Sequence, residues 1–210
     1  MLQDAELILL FDPNCGWCYG AHPALAALHA ASPLPWRLLP TGLFAGAADV
    51  AQQDAYFWRS DMQIRERTGM AFSEAYRDRI LGSDRVSLDS TQTTLAWHLV
   101  ARQCPKQVLA VLQRVQALRY VDGVHCDATA IASLAEAFGL DPAALQAAFQ
   151  QGWPASLQHE VAQARALMLQ LNLRGVPVLL LRRGSDLTIV PNALLFQNPA
   201  ELVEFVSRNV

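Results

Sequence analysis

The stretch LILLFDPNCGWCYGAHP, residues 7 to 23, runs an unbroken hydrophobe straight into two cysteines separated by two residues. A short apolar run such as ELILLF, closed by Asp12-Pro13, suits a strand buried on both faces, as in a mostly parallel sheet. Behind the cysteines, Ala21, Leu25 and Leu28 fall at helical spacing. Ser32-Pro33 and Pro35 end that helix. Trp36 to Leu39 reads as a second strand, closed by Pro40-Thr41-Gly42. The opening is a β-α-β unit that sets Cys15 and Cys18 where strand meets helix.

Such a pair is a redox couple, half of a metal site, or two small buried residues. At a helix N-terminus the unpaired amides and the helix dipole favour negative charge on the first sulfur. Cys15 is therefore expected to be the exposed nucleophile. Cys18, one turn further in and more buried, would resolve the mixed disulfide. Zinc would need a second matching ligand pair. Cys104 and Cys126 are separated by 21 intervening residues, without that spacing, and read as small, partly buried residues. His22 and Asp12 are candidates for tuning the pair. Against that, a histidine in this position is more often a satisfied core residue, and an aspartate before proline a turn or cap residue. Tyr56, Phe57 and Trp58 read first as core, with the lining of a cleft above Cys15 as the alternative.

The bulk composition agrees with a globular enzyme. The chain has 210 residues, 52% of them hydrophobic, and a net charge of −3. That excludes a general nucleic-acid binder, which needs a basic face for phosphates. Four cysteines in this length do not make a disulfide scaffold. Asp4 and Glu6 stand where a secretory leader would carry positive charge, and the apolar runs are too short to cross a bilayer. The chain reads as cytoplasmic, or periplasmic if a leader has been trimmed away. No metal, nucleotide or flavin site is expected, and no membrane partner.

From about residue 45 to 155 the pattern is helix after helix. Asp89 or Ser90 can cap TTLAWHLVARQ, Pro105 opens VLAVLQRVQAL, and Asp127 caps ATAIASLAEAF with Gly139 behind it. Asp141-Pro142 starts another helix. The last part returns to α/β: a helix through HEVAQARALMLQL, then Gly175-Val176-Pro177, strand VLLLRR, a turn at Gly184-Ser185-Asp186, and strand LTIVP. Asn198-Pro199-Ala200-Glu201 opens a closing helix. The order predicts an α/β chain with a thioredoxin-like frame in two segments, 1–44 and 156–210, split by a helical subdomain over 45–155.

DPNCGWCYG, RTGMAFSEAYRDRIL, HEVAQARAL and LRGVPVLLL resemble, in order, stretches of the DsbA-like branch of the thioredoxin superfamily, which includes the FrnE-like predicted protein-disulfide isomerases. The resemblance implies dithiol–disulfide exchange with protein or peptide thiols, with Cys15 as nucleophile and Cys18 as resolver. It implies a cis peptide at Val176-Pro177, with both residues contacting substrate. Pro23, eight residues after Cys15 and expected inside the helix, also fits that family. The strong oxidants of the group carry Cys-Pro-His-Cys. Here Gly16 and Trp17 stand between the cysteines without a cation, which points to a less oxidising couple. Trp17 offers an apolar contact for substrate, and Gly16 adjoins it. Electrons would come from glutathione, thioredoxin or another thiol. Two other classes stay open. One is glutathione chemistry of the kappa-class transferase or 2-hydroxychromene-2-carboxylate isomerase kind, whose members usually show serine where Cys15 stands. The other is a non-catalytic binding module.

Overall fold

The computed structural model describes residues 5–51, 53–82 and 85–210, with backbone only at residue 85. The N-terminal end of the first predicted segment, residues 1–4, lies outside the described residues. Strand β1 (Ala5–Phe11) pairs in parallel with β2 (Trp36–Pro40) on one side and antiparallel with β5 (Val178–Arg183) on the other. Strand β6 (Asp186–Ile189) completes the sheet through the predicted hairpin, giving the order β2-β1-β5-β6.

The run ELILLF is apolar throughout because both faces of the sheet are covered. Leu7, Leu9 and Phe11 share one core with Leu179 and Leu181 of β5, with Leu25 and Leu28 of helix α2 (His22–Ala31), and with Leu202 and Val206 of helix α10 (Pro199–Asn209). Ile8, Leu10, Leu39 and Leu180 face the other way onto Ala164, Leu167 and Met168 of helix α9 (Ala155–Gln170). The period of two along each strand thus feeds two separate apolar layers.

The remaining helices run between β2 and α9. They are α3 (Asp54–Thr68), the short α4 (Glu74–Tyr76) continuing into a π-turn (Arg77–Leu81), α5 (Thr91–Ala101), α6 (Val108–Tyr120), α7 (Ala128–Ala137) and α8 (Pro142–Gln150). Caps expected from the sequence form: Asp127 accepts from the amides of Thr129 and Ala130, Asp141 from Ala143, and Asn198 from Ala200. The helical part also carries a two-residue antiparallel ribbon, β3 (Val50–Ala51) with β4 (Arg85–Val86), too short for hydrophobic periodicity to announce. Among the described residues no helix is long and apolar enough to cross a membrane.

The helix after the cysteines differs from its prediction. It is split into α1 (Gly16–Gly20) and α2, with Ala21 closing the first and opening the second. Pro23 therefore lies in the first turn of α2, where its missing N–H needs no helical partner, and not in a helix interior.

Candidate active site

Cys15 is the N-cap of α1, and its Sγ accepts from the amide of Cys18 at 3.4 Å. On its other side the Cys15 thiol donates to the carbonyl oxygen of Val176, also at 3.4 Å. The Val176–Pro177 peptide is cis, and the hydrogen bond to Val176 brings the loop before β5 to the N-terminus of α1. Fold and hydrogen bonds thus bring together Cys15, Cys18, Val176 and Pro177, separated by up to 162 positions along the chain (177 − 15).

The four cysteines are free thiols. The relative burial of the pair follows the expectation, with Cys18 at 2% exposure and Cys15 at 8%, but Cys15 is not an open residue. It lines a cleft together with Trp17, Phe44, Tyr56, Phe57, Asp61, Tyr76, Arg119 and Tyr120. The strand-to-helix placement that supplies amides for its sulfur also tucks it beneath the helical part of the chain. Burial pushes the Cys18 thiol well above its ordinary pKa, reinforced by its hydrogen bond with Cys15 and the charge of that neighbour.

Trp17 is half-buried, edge-on to Phe196 with ring centroids 5.0 Å apart, and the Arg67 guanidinium sits 5.6 Å over its indole. Gly16 has a packing reason: a Cβ there would stand 2.6 Å from Asp61 Oδ1 and 3.2 Å from Ile64 Cδ1. Gly20 has the same one, with Ile64 Cγ2 only 2.3 Å away. The pair lets α3 lie directly on α1.

Asp12 is fully buried and holds the cysteine loop. It accepts from the amides of Asn14 at 2.9 Å and Phe44 at 3.0 Å, and from the Ser90 hydroxyl at 2.8 Å. Ser90 thereby spends its hydroxyl on Asp12, and Asp89 takes the Thr91 amide at the start of α5. Burial raises the Asp12 pKa against bonds from Phe44, Asn14, Ser90 and Leu43 that lower it, and its charge contributes to the raised pKa of Cys18.

His22 turns elsewhere. Its Nε2 is 2.7 Å from Gln116 Oε1 on α6, and burial lowers its pKa to about 4, so it is a neutral core residue at physiological pH. Tyr56 and Phe57 line the cleft, with Tyr56 at 64% exposure, whereas Trp58 packs against Tyr76 and is not part of the lining. Cys126 donates weakly to the Gln92 carbonyl at 3.8 Å, and burial pushes its thiol up to about 12.

Asn14, Asp61, Arg119 and Tyr120 are cleft residues that a reading of the sequence does not single out. Asn14 donates to the carbonyls of Leu88 and Asp89, accepts from Thr93, and its own carbonyl accepts from Tyr120 at 2.8 Å. Asp61 accepts from the Tyr76 hydroxyl at 2.8 Å, and burial raises its pKa to about 7. Arg119 donates to the Ser87 carbonyl and lies over the rings of Tyr76 and Tyr120. Only Asn14, inside the cysteine loop, carried a local signal as a turn residue.

Fold and site together define a class: a thioredoxin-type α/β frame with a helical insert, its Cys-X-X-Cys pair at a helix N-terminus facing a cis proline. The chain belongs to the DSBA-like thioredoxin domain family, whose model matches residues 6–197. It is similar to the cytosolic disulfide reductase DsbM from Pseudomonas aeruginosa, with 28% identity and a TM-score of 0.85 over 97% of this chain and 98% of that one. The structure of DsbM with GSH matches at 27% identity and a TM-score of 0.83, over the same shares of the two chains. A candidate protein disulfide isomerase from Nitrosomonas europaea shares 17% identity at a TM-score of 0.79, over 98% of this chain and 97% of the other. A 2-hydroxychromene-2-carboxylate isomerase shares 14% at 0.62, over 97% of both chains. At those last identities the likeness is one of fold alone. No curated protein sequence matches the chain.

Proposed function

We propose that this protein is a cytoplasmic dithiol–disulfide reductase that draws its electrons from glutathione or another small thiol. The observation that carries the reading is the Cys15 sulfur held between the Cys18 amide and the Val176 carbonyl, beside a cis proline. The likeness at 28% identity to a cytosolic disulfide reductase, also known with GSH, supports both the direction and the donor.

The Cys15 thiolate attacks one sulfur of a substrate disulfide. A Cys15–substrate disulfide forms, the substrate bond breaks, and the departing thiolate takes a proton from solvent. Cys18 then loses its proton and attacks the Cys15 sulfur, releasing the second substrate thiol and leaving a Cys15–Cys18 disulfide. Two glutathione molecules restore the dithiol and leave as glutathione disulfide. Across the cycle the substrate gains two electrons and two protons, and glutathione loses them.

Cys18 resists ionisation chiefly because it is buried, and the neighbouring Cys15 adds to that resistance, which suits Cys18 to the second, resolving step.

The test is a redox titration of the purified protein in glutathione buffers, with free thiols trapped by alkylation and read by intact mass. Cys15 and Cys18 should titrate together as a two-electron couple near the glutathione poise, about −220 to −320 mV. Cys18→Ser should accumulate a glutathione adduct on Cys15. A pair that never forms a disulfide under any poise sinks the reading, and a midpoint near −120 mV, the range of strong oxidants, reverses its direction.

A further inference from the structure

The cleft above Cys15 contains a buried cation that the disulfide chemistry does not use. Arg119, 6% exposed on α6, lines the same cleft as Cys15 and Asp61. One of its terminal nitrogens donates to the Ser87 carbonyl at 2.9 Å. Its Nε is buried and has no hydrogen-bond partner among the described residues. None of the ion pairs within 4.0 Å among those residues includes Arg119. A guanidinium removed from water without a bonded anion is costly, and its planar fork is shaped for a carboxylate.

The other charged group in the cleft opposes an anion only when ionised. Among the described residues Asp61 is the sole carboxyl in the lining. It faces Tyr76 from α4, Arg119 from α6, and the Gly16 backbone at the start of α1. Tyr56, Tyr120 and Cys15 complete the ionisable groups of the lining among the described residues. Burial raises Asp61 to about 7, so in mild acid it is neutral and the positive charge of Arg119 stands alone.

We propose that Arg119 makes this cleft a carboxylate pocket, which selects disulfides bearing a carboxylate a few bonds from the reacting sulfur. This inference rests on the reductase reading and narrows its substrate class to small acidic disulfides, or to polypeptide disulfides with an acidic neighbour. The aromatic walls, Phe44, Phe57 and Tyr76, would cover the aliphatic stem between sulfur and carboxylate.

The experiment compares single-turnover oxidation of the reduced protein by 3,3′-dithiodipropionate and by neutral bis(2-hydroxyethyl) disulfide. Each rate is divided by that of free glutathione with the same disulfide. At about pH 6 the acid should be favoured roughly tenfold or more, the worth of one charge-assisted hydrogen bond. The preference should shrink by about pH 8.5, where Asp61 is ionised, and Asp61→Asn should keep it at both values. Arg119→Gln should bring the acid down to the rate of the neutral disulfide. If that buried variant does not fold, the pH arms and Asp61→Asn still decide. Peptide disulfides flanked by aspartate or by asparagine separate the sources: a preference for the aspartate peptide extends the pocket to polypeptides, and a preference confined to the small acid assigns it to free disulfides. Equal normalised rates for acid and neutral small disulfides at pH 6 would overturn the carboxylate pocket alone. Failure of both to oxidise the Cys15–Cys18 pair would remove the reductase reading as well.

Discussion

Asp12 is where a single side chain does most to shape the site. Three donors converge on its carboxylate from the cysteine loop, from Phe44 after β2, and from Ser90 before α5. Removing the carboxylate leaves those donors buried and unpaired, at about 1–3 kcal/mol each where water cannot reach them. Asp12→Ala is therefore expected to lose about 3 kcal/mol or more in urea unfolding, and Ser90→Ala only about 1 kcal/mol. Near-equal losses would show that Asp12 is not the hub. At this scale the sequence was informative wherever the signal was local. Cys15 and Cys18 stand together after a strand, and Val176-Pro177 precedes one. Asp61, Arg119 and Tyr120 were silent because an aspartate or an arginine on a helix reads as solvent-facing until its tertiary neighbours are known. The tuning role considered for His22 has no contact to support it, since its ring nitrogen turns to Gln116.

Among elements, the contact of α3 with α1 decides how closely the helical part approaches the cysteines. Gly16 and Gly20 lie four residues apart, hence on one face of α1; Ile64 fills the space of the missing side chain at Gly20, and Asp61 with Ile64 that at Gly16. Ile64 is β-branched and cannot swing its Cγ2 away cheaply. Gly20→Ala should cost about 1–3 kcal/mol through overpacking, in spite of the gain in helix propensity that alanine normally brings. A stabilised Gly20→Ala in thermal or urea unfolding would contradict this account of the interface. Helices α5 to α9 and the closing hairpin were legible from caps, prolines and apolar spacing. The break between α1 and α2 was not, because AHPALAALHA keeps helical spacing straight through Ala21 and only the proline hints at the joint. The β3–β4 ribbon has no sequence signal, being two residues long on each side.

For the molecule as a whole, two buried groups set opposing pH dependences. The folded pKa of His22, about 4, lies below its ordinary 6.5, so between those values the unfolded chain holds a proton that the folded protein does not. Stability is then lost as pH falls. Asp61 is raised from 3.8 to about 7, so the folded protein holds a proton that the unfolded chain has released, and stability is lost as pH rises through that window. Asp12, also raised by burial, acts in the same sense as Asp61. Each proton is worth about 1.4 kcal/mol per pH unit at most. Relative to the parent protein, Asp61→Asn should gain stability as pH climbs from about 4 to 7, and His22→Gln should gain it as pH drops from about 6.5 to 4. Urea unfolding at three pH values reads both, and a pH-independent difference for either variant would show that its group does not titrate as described. The fold was legible from order and periodicity because β1 and the first part of β5 are continuous apolar runs that supply two apolar layers. The cleft was not, because it exists only where elements far apart in sequence meet.

Asn14 has a mechanical consequence. Through its side chain and its carbonyl it is riveted to residues before α5, to α5 itself and to α6, one position from the nucleophile. Outward movement of those helices would first have to break these bonds, so the walls beside the sulfur are tied to the same loop that carries it.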